Sequence, residues 1–163
     1  MSTTAQQLKD LKPQKDFFIG IDSDGCAFDT MEPKHKECFC PTFIWKWNLE
    51  SVSKYAREVW DFVNLYSKSR GCNRFPALTD SLDLLRARPE VKARGARIPE
   101  LPRLKRWLKE ETKLGNPALK KLVADTNDPE MAQVLDWSLA INEAVERIVR
   151  EVPPFPLVRE SFE

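Results

Sequence analysis

The chain carries almost no surplus charge: 26 basic residues face 25 acidic ones, a formal net charge of +1 over 163 residues. General nucleic-acid binding draws on a basic surplus, so that class of partner is not expected. No apolar run approaches the length of a membrane span. The N-terminal stretch MSTTAQQLKDLKPQKD lacks the apolar centre of a secretory signal, which makes the cytoplasm the expected location. There is no internal repeat and no low-complexity tract. Strand-like sequence is scarce too. After residue 30 no apolar run is long enough and β-rich enough to read as a strand.

What is present describes a soluble globular protein, with 42% hydrophobic and 31% charged residues and enough length for one real core. Four cysteines (Cys26, Cys38, Cys40, Cys72) in a cytoplasmic context are expected to be reduced. The most informative segment is KDFFIGIDSDGCAFDT, residues 15–30. Its apolar residues Phe17, Phe18, Ile19 and Ile21 read as a buried strand over about residues 16–22. The run ends in Asp22 and Asp24, followed at once by Gly25. Acids at i and i+2 share a face if strand geometry persists. Two carboxylates that close resist joint ionisation unless a cation or hydrogen bonds offset the repulsion. That favours metal-assisted or acid/base chemistry, while an ordinary polar turn with Gly25 at positive φ is the plainer alternative.

The hydrophobic run, Asp-x-Asp-Gly and the later Asp29-Thr30 together resemble the first motif of haloacid dehalogenase-like (HAD) hydrolases, most of which are phosphatases. The resemblance implies Asp22 as nucleophile forming an aspartyl-phosphate and Asp24 as general acid/base. It also implies Mg²⁺ held by the Asp22 side chain and the Asp24 backbone carbonyl, and a small phosphorylated substrate. Cys26 stands where family members commonly carry Thr, so that hydroxyl contact is missing. The family's later motifs are a Ser or Thr after a second strand, a Lys and a further acidic cluster, and after residue 30 no strand is long enough to carry the first or last of these. The resemblance therefore covers only the opening of such an enzyme. A partner chain or a continuation is expected to supply the rest.

From residue 34 the pattern is helical almost throughout. Helices are expected over His35–Trp47 (interrupted at Pro41), from Ser51 or Ser53 to Arg70, and over Phe75–Arg86. Others are expected over Pro102–Lys113, Pro117–Ala124 and from Pro129 to Val152, with a short one at Ala5–Leu11. The expected fold class is mainly α. The first strand of an α/β Rossmann-like core would be followed by an inserted helical cap. The domain reading is an arm and motif loop over 1–33, a cap over 34–152 and a linker over 153–163.

Residues 66–75, YSKSRGCNRF, gather basic side chains around a helix end and a glycine turn. Arg70 and Arg74 are the candidate substrate-binding residues, since Arg can grip phosphate or carboxylate with two hydrogen bonds. Basic residues closing a helix also suit its dipole without any ligand. The H-x2-C-x-C run from His35, with Cys72, is a weaker zinc candidate whose spacing matches no paired knuckle. The five tryptophans are expected mostly in the core, and Trp45 and Trp47, two apart, on different helix faces. Two functions follow as expectations: a Mg²⁺-dependent phosphohydrolase, or a non-catalytic helical module docking on a partner chain.

Overall fold

In a computed structural model, the chain is described over residues 5–10, 12, 15–17, 19–149 and 152–162. The helices in chain order are α1 (Ala5–Lys9), α2 (residues 31–46), α3 (residues 50–66), α4 (Arg74–Ala87), α5 (Pro89–Ala93), α6 (Pro102–Glu110), α7 (Asn116–Thr126) and α8 (Pro129–Val149). The chain is mainly α, as its periodicity predicts. Helix α8 is the central post, with α2, α6 and α7 packed on it, while α4 joins α3 to α6. Asp128 caps α8 by accepting from the backbone N–H groups of Glu130 and Met131 at 3.0 and 3.1 Å. Asn73 does the same for α4 through Phe75 N at 3.0 Å.

Two helices change pitch midway. Lys34–Phe39 in α2 and Phe62–Tyr66 in α3 are π-helical. The first explains how α2 passes through Pro41 unbroken, where the sequence predicts an interruption. Proline lacks a backbone N–H. Just before it, the Cys40 N–H already reaches back five residues to the His35 carbonyl. The second widened turn ends α3 at Tyr66, short of the expected Arg70, and Gly71 (φ +77°) lies in the turn beyond. It also rotates the buried face. Val59 and Val63 are inside as expected, but Phe62 and Tyr66 are exposed, and Trp60, Asn64 and Leu65 are buried instead.

The core is aromatic. Trp60 lies 6.4 Å from Trp137 and 4.8 Å from Phe43, and Phe75 links Trp137 to Trp107 at 6.3 and 5.3 Å, with the ring centroids as reference points. Of the five tryptophans, Trp45 alone is exposed, while Trp47 two residues on is buried. The cysteines are all unpaired.

The expected strand does not form. Among the described residues of 16–22, none enters a β-ladder. Phe17, Ile19 and Ile21 are 89, 82 and 51% exposed, and Phe18 lies outside the described residues. A single strand with no neighbour has nowhere to place its backbone hydrogen bonds, so local β propensity does not suffice. Isolated bridges take its place: Asp24 with Phe28, and Phe28 with Pro154. Through the second, and a bond from Phe155 N to Ala27 O at 3.0 Å, the C-terminal segment returns to the motif loop. Among the described residues, no helix is long and apolar enough to cross a membrane.

Candidate functional site

The motif loop folds as a tight turn on the start of α2. Gly25 N donates to Phe28 O at 2.8 Å and Phe28 N to Ser23 O at 2.9 Å. Gly25 has φ +68°, and a Cβ there would stand 2.7 Å from Cγ of Met31. Both backbone and space therefore call for glycine. The turn delivers Asp24 to the mouth of a cleft of about 340 Å³ between the loop, α2, α3, α4 and α8.

Asp24 is fully engaged there. Thr30 Oγ1 donates to its Oδ1 at 2.8 Å, and Lys34 Nζ donates to its Oδ2 at 2.5 Å. Thr30 sits at the N-cap of α2 but makes no side-chain capping bond; its hydroxyl goes to the carboxylate instead. Lys34 first, and Thr30 second, hold the Asp24 carboxyl below its usual pKa, because both stabilise the ionised form. Asp22 differs. It is exposed, accepts from Ser23 N at 2.9 Å, and is not among the residues lining the cleft.

The two arginines come to the same region from 45 residues or more further along. Arg70 is exposed, with Nη2 at 3.9 Å from the point where a Gly25 Cβ would stand. Arg74 lines the cleft, half-buried over the Phe39 ring at 5.3 Å. Its Nη1 donates to Asn142 Oδ1 at 2.7 Å and to Ser138 O and Oγ at 3.1 and 3.2 Å. Burial pulls its pKa down, and all these acceptors are neutral.

Three cleft residues escape the sequence reading as site residues. Lys34 has a faint signal: Thr30 and Lys34 are four apart, hence neighbours on one helix face. Asn142 follows Ser138 by the same interval, but nothing in the sequence says that α8 reaches α4. His35 stands out only as the single histidine, and as a zinc candidate it has other company. Its ring lies 4.8 Å from that of Phe39, and Cys38 and Cys40 are core residues.

Among the described residues, no three His, Cys, Asp or Glu side chains gather around a point that could hold a metal. Mg²⁺ prefers an octahedron of oxygens. Asp22 and the Asp24 carbonyl fall short of that, and an ammonium already sits on the Asp24 carboxylate. These residues alone do not fit a magnesium site. Compared with known proteins, the chain matches no family model, no curated protein and no solved structure.

Proposed function

We propose that the chain is the motif-bearing front portion of a HAD-like phosphohydrolase acting on a small phosphate ester, with Asp22 as nucleophile and Asp24 as acid/base. The observation that supports this reading most is convergence. Asp24 and Arg74, fifty residues apart, line one cleft, and Arg70 stands beside the motif glycine. In this chemistry an Asp22 oxygen attacks phosphorus while the bond to the leaving oxygen breaks, and water later cleaves the acyl phosphate. Asp24 would protonate the leaving oxygen and later take a proton from the attacking water, and the Lys34 and Thr30 bonds that hold its pKa down must loosen for it to do either. Mg²⁺ belongs to the proposal only with further acidic ligands from outside the described residues.

A second reading rests on a different observation, the uncovered apolar residues Phe17, Ile19 and Ile21. Such a stretch suits addition to the edge of a partner's sheet. The chain would then be a helical docking module without catalysis. An aryl phosphate assay with Mg²⁺ separates the two. Phosphate release that disappears in Asp22→Asn supports the hydrolase; release equal in both proteins overturns it.

A further inference from the structure

Two side chains that line the cleft keep hydrogen-bonding capacity that no described residue uses. His35 is 9% exposed and lines the cleft, and no hydrogen bond from a described residue reaches its ring, whose Nδ1 is buried. Arg74 bonds only through Nη1, which leaves the Nε and Nη2 groups of its fork without a protein acceptor among the described residues. No carboxylate among the described residues pairs with it either. The Asp24 carboxylate in the same cleft is already taken by Lys34.

The Phe39 ring ties these two groups together, with His35 at 4.8 Å between ring centroids and the Arg74 guanidinium at 5.3 Å. Met31 and Val145 add apolar wall, and Asn64 and Asn73 add polar groups. The volume is in the range of small-molecule sites. Both π-helical turns border it, the first supplying Lys34, His35 and Phe39 and the second Asn64. Such turns are frequent at functional sites.

We propose that this cleft binds a small organic anion that also carries a hydroxyl group. The carboxylate or phosphate meets the open edge of Arg74, and the hydroxyl bonds the accessible edge of the His35 ring. Neutral imidazole suits a hydroxyl, since each can donate or accept. Burial first, and the Lys34 charge second, press the His35 pKa down to about 4, so the ring is neutral at physiological pH. Binding of this kind requires neither Asp22 nor a metal, and stands whether or not the chain hydrolyses anything.

One histidine in the sequence makes the ring resonances unambiguous in an NMR titration of the wild-type protein without added metal. The probes are glycerol 3-phosphate, glycerate, propyl phosphate and inorganic phosphate. Saturable shifts of the His35 ring are expected with glycerol 3-phosphate or glycerate, and whichever is tighter names the acidic group. Propyl phosphate, lacking hydroxyls, is expected to bind about threefold to tenfold more weakly. Arg74→Met is expected to weaken the better probe at least about tenfold, the loss of a charged hydrogen-bonding group. Absence of any His35 shift, equal affinity for propyl phosphate, or undiminished binding in Arg74→Met overturns the proposal. Should Arg74→Met fail to fold by circular dichroism, the wild-type comparison of glycerol 3-phosphate with propyl phosphate decides. Phosphate release that is equal in wild type and Asp22→Asn, beside positive His35 shifts, removes the hydrolase and leaves this site standing.

Discussion

The helical body and the motif arm spend the same kind of residue in opposite ways. Within α2–α8, large aromatics such as Trp60, Trp137 and Phe75 are almost wholly buried against one another. In the arm, Phe17 and Ile19 face outward, and the turn at Gly25 is held by backbone bonds. The body closes its own hydrogen bonds within each helix, whereas an extended segment needs a neighbour. Apolar sequence therefore builds a core in one region and an unpaired surface in the other.

Core truncation is the hardest blow to the body. Trp60→Ala should lower unfolding free energy by about 3–5 kcal/mol in urea titration. A loss comparable to that of a surface substitution would mean that the aromatic ladder does not carry the body. Next comes pH. His35 has a depressed folded pKa, so the unfolded chain takes up its proton first as pH falls. Stability is intact above the unfolded value near 6.5 and drains away as pH drops towards about 4, by up to about 3 kcal/mol. Urea midpoints for wild type and His35→Phe between pH 7 and 4.5 check this, and the variant should lose the steeper part of the slope.

In the arm, Gly25→Ala strains a positive-φ position against Met31 and should cost about 1–2 kcal/mol in the loop. Faster amide exchange at Phe28 and Thr30 with little change in the body's midpoint would sharpen the contrast; an equal fall in both would erase it. Lys34→Met, which removes a part-exposed ion pair, should cost about 1 kcal/mol or less. It should also let the Asp24 carboxyl rise, followed by carbonyl-carbon NMR. Smallest of all, Ile19→Ser should leave the monomer within about 0.5 kcal/mol of wild type. A larger loss would show that the arm packs on something.

Legibility follows the range of the interaction. Asp128 could be recognised as a cap because its partners lie within three residues, and Met131, Val134 and Ile141 as a core face because helical period is local. Pro41 misled because the π turn before it lies where α2 packs against α8, a contact that no local spacing records. Within the site, Asp24, Arg70 and Arg74 had sequence signals of their own. Asn142 had none, Lys34 only its spacing from Thr30, and His35 only a zinc reading, since what makes them notable is the company they keep in space.

By itself, the order of residues determined that this chain is a succession of amphipathic helices, with an acidic turn near its start and little net charge. Helices satisfy their own backbone, so that much is written locally. Only the packing decided that the apolar run at residues 17–21 stays outside and that Lys34 claims Asp24. The same packing brought the single histidine and an arginine edge to one cleft. Those outcomes depend on which side chains meet from distant parts of the chain, and no spacing along it records that.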